Sequence, residues 1–157
     1  MPATSRIARI LSEKGIVLPK PNPPTASYVP YVVAGNIVYI AGQGPRVDGA
    51  LQYAGKVGSE RSIEDGQAAA RICMLNVLAH LHSACDGDLD RVARAVRVAG
   101  LVNCLPDFLH HPTVLNGASD LLLEVFGDAG RHARIATGAS SLPFDMSVEI
   151  EAQFEIR

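Results

Sequence analysis

A chain of 157 residues with 48 % hydrophobic and 19 % charged side chains is long enough to bury one core and too apolar for extensive disorder. Fourteen basic against sixteen acidic side chains leave a net charge of −2, which argues against the broad basic footprint of a nucleic-acid binder. Three cysteines without CxxC spacing signal neither a disulfide framework nor a zinc site, the N-terminus lacks an apolar leader, and no run approaches the ~20 apolar residues of a membrane span. The expectation is one domain over 1–157 with reduced thiols, a cytoplasmic location and no membrane partner.

In chain order, Thr4 is placed to cap a short amphipathic helix within 1–15 that carries Ile7, Ile10 and Leu11 on one face, with Gly15 at its stop. Residues 16–27 follow as a connector whose prolines at 19, 21, 23 and 24 remove backbone donors and favour extended geometry. It reads as a spacer laying the first helix across the body. YVPYVVAGNIVYIAG then gives two β-branched, aromatic runs around Gly35-Asn36, a dipeptide suited to the positive φ angles of a hairpin turn. Residues 43–61 are a glycine-rich loop with one weak strand candidate near 51–54.

Ser62 with Asp65 predicts a capping box, followed by a long helix with Ala70, Cys73, Met74, Val77, Leu78, Leu81 and Ala84 on one stripe and Gly87 past its end. RVARAVRVAGLVNC at 91–104 mixes helix-favouring Ala and Arg with valines and Gly100; a strand is the expectation. Val114, Ala118, Leu121, Leu122 and Val125 predict a helix over 113–126, ended by Gly127. Two strands close the chain. In the last, Val148, Ile150, Ala152, Phe154 and Ile156 alternate with Glu149, Glu151, Gln153 and Glu155. His132 and Arg134 share a phase expected to bring a cation against that acidic side.

The fold class these elements imply is α+β: a mixed sheet with two helices packed on one face, plus the short N-terminal helix. The other sheet face is left uncovered, and self-association would cover it. His80 with His82, and His110 with His111, do not complete a metal-ligand set, so no metal is expected, and the absence of a P-loop or Rossmann glycine pattern leaves no cofactor expected.

Four stretches carry a resemblance: YVPYVVAGNIVYIAGQGP at 28–45, VNCLPDF at 102–108, NGASDLLLEVFG at 116–127 and GRHARIATGASSLPFDMSVEIEA at 130–152. In their order and spacing they resemble the YjgF/RidA (endoribonuclease L-PSP-like) superfamily, with the N-terminal helix, LPKPNPP and GRHAR closest to its YjgF/chorismate-mutase-like branch. That resemblance implies a chorismate-mutase-like fold, a homotrimer whose sheets line a central barrel, and ligand clefts between subunits. It implies enamine/imine deaminase chemistry on a small carboxylate-bearing metabolite. The alternatives are a non-catalytic protein that binds or senses a small carboxylate, or an endoribonuclease.

The resemblance also assigns roles. Arg134, eight residues before Leu142, matches an arginine that grips a substrate carboxylate; its own chemistry equally suits pairing with a strand glutamate. Glu149 matches a glutamate able to activate water, and a solvated or interface-paired strand residue is the competing reading. Tyr28 matches an active-site tyrosine, against which stands simple aromatic packing. Gln43 is placed at the cleft, although a turn-stabilising amide explains it as well. Asn116 matches a cleft asparagine across a one-residue gap, and equally suits a helix N-terminal polar residue. Two positions depart from the family pattern: Ala136 stands where a cysteine is usual and Ala41 where a serine is usual.

Overall fold

The computed structural model describes residues 5–157. Its elements are helix α1 (Arg6–Glu13), strands β1 (Tyr31–Ala34), β2 (Ile37–Gln43), β3 (Arg46–Val47) and β4 (Ala50–Leu51), helix α2 (Ile63–Ala84), strand β5 (Val92–Asn103), helix α3 (His111–Phe126), and strands β6 (Ala133–Ala139) and β7 (Val148–Ile156). Thr4 lies outside the described residues. The cap seen on α1 is Ser5, whose hydroxyl accepts from the Ala8 N–H. A second cap comes from far along the chain: the Asp90 carboxylate accepts from the N–H groups of Arg6 and Ile7 at 2.7 and 2.8 Å. Burial alone would raise that carboxyl, but the two backbone donors outweigh it and hold Asp90 below its ordinary range.

The alternation of the last strand builds the middle of the sheet, whose order is β1-β2-β7-β5-β6. Val148, Ile150, Ala152, Phe154 and Ile156 are all buried against the helices, as their period of two requires. β1 and β2 form the hairpin around Gly35, whose φ of +61 is the left-handed value the turn needs. Among the strands of the described residues, only β5 and β6 pair in parallel, joined by α3. The weak strand near 51–54 is a two-residue piece, Ala50–Leu51, paired with Arg46–Val47 apart from the main sheet.

The capping box on α2 is complete: Ser62 Oγ accepts from the Asp65 N–H, and the Asp65 carboxylate accepts from the Ser62 N–H. β5 is a strand over its whole length, and Gly100 shows why a helix former there would fail. A Cβ on Gly100 would lie 2.1 Å from Leu115 Cδ1, so the bare backbone is where α3 seats its leucine. α3 begins two residues before the expected Thr113, because Pro112 is tolerated in a first turn, where its missing N–H has no partner to lose. α2 and α3 touch at Gly117, where a Cβ would stand 2.1 Å from the Gln67 carbonyl oxygen.

One buried cluster joins Ile7 of α1, the stripes of α2 and α3 and the inner face of the sheet. The opposite sheet face is open, carrying Tyr39, Leu101 and Ile135 at 45, 38 and 47 % exposure beside the glutamates of β7. Among the described residues no helix is long and apolar enough to cross a membrane.

Candidate functional site

Strand β2 loses its regular pairing with β7 after Ile40, resuming only at Gln43 opposite Ile150. Such an irregularity re-aims side chains and ends a ladder, and here it opens a cleft of about 560 Å³, a size suited to a small molecule. Tyr28, Gln43, Arg46, Phe144, Met146 and Glu149 line it, together with residues 22–26. The proline-rich connector is therefore more than a spacer, since it forms one wall. Tyr28 is 44 % exposed at the end of that wall, its hydroxyl accepting from the Thr25 N–H at 3.4 Å.

Glu149 is half-buried on the open face of β7. Burial raises its carboxyl above the ordinary range, and the charge of Glu151 two residues on adds to the rise. Gln43 is buried, with Nε2 donating to the Ala41 carbonyl at 3.1 Å, so it does brace the bulge as a turn amide while lining the cleft. Ala41 also faces the cleft.

Arg134 and Asn116 meet, but elsewhere. Arg134 Nη1 donates to Asn116 Oδ1 at 2.9 Å and to Ser119 Oγ at 3.1 Å, and Nη2 to the Pro112 carbonyl at 3.4 Å. Asn116 sits inside α3, not at its N-terminus. The register fixes the geometry: Arg134 lies beside Val98 and Ala152, both buried, whereas Glu149 lies beside Leu101 and Thr137 on the other face. Within one chain the guanidinium and the carboxyl are thus on opposite sides of the sheet.

This corrects the expectation that His132 and Arg134 bring a cation against the acidic side of β7. His132 instead bonds Ser119 Oγ and the Gly130 carbonyl, at 2.8 and 2.7 Å. β6 is an edge strand whose Arg134 phase points to α3, and a long side chain at an edge reaches the helix oxygens. The cation against the acidic row is Arg97 of β5, 3.8 Å from Glu151. Nor does Arg134 pair with a strand glutamate; its three partners are neutral oxygens.

Sequence reasoning missed Arg46, the guanidinium that shares the cleft with Glu149. It stacks over the Phe144 ring, 5.0 Å from the centroid. Phe144 and Asp145 have φ of 58° and 60°, left-handed values that cost energy in residues other than glycine and often mark functional loops. Two buried asparagines hold these parts. Asn76 Nδ2 donates to the carbonyls of Gly44 and Arg46, both at 3.0 Å, and Asn103 Nδ2 donates to Asp145 Oδ1 and the Met146 carbonyl. The one sequence signal was a polar residue beside the apolar stripe of α2.

Residues 8–151 match the protein family described as "YjgF/chorismate mutase-like, putative endoribonuclease". The chain belongs to this family. Protein TCP17 of Trypanosoma cruzi is 43 % identical over 155 residues, covering 98 % of this chain and 96 % of that protein. The crystal structure of Atu1372 of Agrobacterium tumefaciens, a protein of unknown function, is 41 % identical with a TM-score of 0.90, covering 96 % of this chain and 92 % of that one. A structure from Shewanella oneidensis, described as a putative endoribonuclease, is 34 % identical with a TM-score of 0.92, covering 98 % and 100 %. The YjgF-type α+β fold expected from the sequence is thereby borne out. Ala41 lies at the cleft, and Ala136 is partly buried on the α3 side of β6.

Proposed function

We propose that this YjgF-family protein hydrolyses small enamines or imines bearing a carboxylate, in a cleft completed by a second subunit. The observation that carries the reading is Glu149, a carboxyl raised by burial in a small-molecule cleft that Tyr28 also lines. An acid–base group shifted toward neutrality is better matched to moving protons than an ordinary carboxylate.

In this scheme Glu149 takes a proton from water as its oxygen bonds to the imine carbon, and the C=N π pair goes to nitrogen. That proton passes to the nitrogen to give the carbinolamine. Glu149 then takes the carbinolamine hydroxyl proton, the freed O–H pair forms the C=O bond, and the C–N pair leaves with the nitrogen. The nitrogen takes this second proton as ammonia, leaving a 2-oxo acid. Tyr28 and Gln43 orient water and substrate. Arg134, with a charge its neutral partners do not cancel, would grip the carboxylate with its planar fork, positioned by Asn116. Because Arg134 and Glu149 lie on opposite faces of one sheet, the scheme takes Arg134 from a neighbouring copy. A homotrimer packing the open faces together would also cover Tyr39, Leu101 and Ile135.

The test is the rate of loss of 2-aminoacrylate or a related imine. Acceleration by the purified protein, abolished by Arg134→Ala, supports hydrolysis; no acceleration across a broad imine panel overturns it. Stabilisation by 2-oxo acids without turnover would select a binding or sensing role. Ribonuclease activity that survives repurification and disappears in the Arg134 and Glu149 variants would replace the proposal. Solution mass should report three chains, and a monomer would defeat the shared cleft.

A further inference from the structure

Cys104 and His111 form a thiol–imidazole pair at the C-terminal ends of β5 and β6, with Sγ 3.5 Å from Nε2. Both border a groove of about 380 Å³, walled by Pro106, Phe108 and Ser140. The arrangement is built by its neighbours. A Cβ on Gly138 would lie 2.7 Å from His111 Nε2 and 2.9 Å from Cys104 Sγ, so a side chain there would drive the pair apart. Phe108 meets the His111 ring edge-on, with centroids 5.1 Å apart and planes at 78°, which fixes the imidazole plane.

The three thiols are not equivalent. Cys73 and Cys85 are fully buried, while Cys104 keeps 6 % exposure and borders the groove. Burial raises the Cys104 thiol above its ordinary range; a hydrogen bond with the Ala139 backbone and the charge of Lys56 act against this, and Asp107 adds to it. The thiol is therefore held protonated, and a reaction at sulfur needs a base at hand. His111 is that base by position.

We propose that this groove is a covalent capture site for small Michael acceptors, α,β-unsaturated carbonyl compounds, with Cys104 as nucleophile and His111 as its base. Sγ bonds to the β-carbon while the S–H proton passes to Nε2 and the C=C π pair moves toward the carbonyl as an enolate. The α-carbon then takes the proton back from the imidazolium. One S–C and one C–H bond replace the S–H bond and the π bond, and no oxidant or second reactant is consumed. Nε2 must begin unprotonated, so the ring proton sits on Nδ1. Leu105, Pro106 and Phe108 give the groove an apolar wall suited to a small planar electrophile. Both groups come from one chain, so the site stands independently of the imine-hydrolysing cleft.

The test uses N-ethylmaleimide on the native protein, with intact mass and peptide mapping. One adduct, on Cys104, is expected, with Cys73 and Cys85 unmodified. His111→Gln should slow its formation at least about 10²-fold, the lower side of what a positioned base supplies. On the wild-type chain the rate should rise with pH through an inflection below the ~8.5 of a free thiol. That profile needs no variant, so it decides the matter should His111→Gln unfold. No adduct on the folded chain, equal labelling of all three cysteines, an unchanged rate in a folded His111→Gln, or an inflection at or above ~8.5 would each overturn the proposal.

Discussion

The Glu149 carboxylate rests directly over Gly42: a Cβ built on that glycine would lie 2.5 Å from Oε1, 3.1 Å from Cδ and 3.3 Å from Cγ. The first separation is too short to exist, yet the atom in the way is the far end of a flexible side chain. Gly42→Ala should therefore move the carboxyl and leave the backbone in place. Imine hydrolysis should fall by about tenfold or more, since misplacing a reacting group by 1 Å can cost 10²-fold. Thermal unfolding should hardly change. A drop in stability matching the drop in rate would show instead that Gly42 serves packing alone.

Glu149 also makes stability depend on pH in a definite direction. Its folded-state pKa is raised, by burial first and then by Glu151, so the folded chain keeps a proton that the unfolded chain has released. Stability from this group is then lost as pH rises from the ordinary glutamate value, about 4.3, through the raised folded value. Above that window the penalty is constant. Glu149→Gln removes it, so the variant should be more stable than the parent near neutral pH and less sensitive across the window, while losing imine hydrolysis. Denaturant melts of both proteins from pH 4 to 8 check the sign, and parallel curves would contradict it.

Much of this architecture was legible because contrast between polar and apolar residues is strong where it was read. VEIEAQFEI alternates without a break, and its face assignment survives intact; Ser62, Asp65 and the α2 stripe set a helix by local rules. β6 has no such contrast. In ARIATGA one phase holds Arg134, Ala136 and Gly138 and the other Ala133, Ile135, Thr137 and Ala139, so neither is visibly the inner one. That is why the face of Arg134 was misjudged. Arg46 was invisible for another reason: it lies in a glycine-rich loop whose position is set by Asn76, thirty residues on. Cys104 and His111, only seven residues apart, meet where the bare Gly138 backbone leaves room for both side chains, which no sequence period shows.

The hold of Asn76 on that loop can be measured. Its amide is 1 % exposed and donates to two carbonyls, Gly44 and Arg46, that flank Pro45. Asn76→Leu keeps roughly the volume but takes a donor from each carbonyl; Gly44 keeps the Arg46 N–H at 3.0 Å, while the Arg46 carbonyl loses its side-chain donor in a site that water reaches poorly. Orphaning buried polar groups costs about 1–3 kcal/mol, and a destabilisation in that range is expected by urea melts. The loop also carries Arg46 into the cleft, so KM for a carboxylate-bearing substrate should rise as well. Lost stability with an unchanged KM would separate Asn76 from the site.

A subtler substitution tests whether the charge on Arg134 is used. Asn116 Oδ1 accepts from Nη1 at 2.9 Å as a neutral oxygen, which orients the guanidinium without cancelling it. Asn116→Asp keeps the shape and the hydrogen bond but sets a carboxylate against the fork. An incoming substrate carboxylate would then meet a compensated cation, and KM should rise by about tenfold, equivalent to ~1.4 kcal/mol. The fold should tolerate the change, because the new pair is charge-assisted and lies near the surface, where such pairs contribute about 0–1 kcal/mol. Arg134→Lys offers the converse: the charge stays, but the two parallel donors are lost, and Lys cannot reproduce bidentate recognition. If Asn116→Asp leaves KM alone while Arg134→Lys raises it, Arg134 acts through its shape; if both leave it alone, the guanidinium is not part of the substrate site.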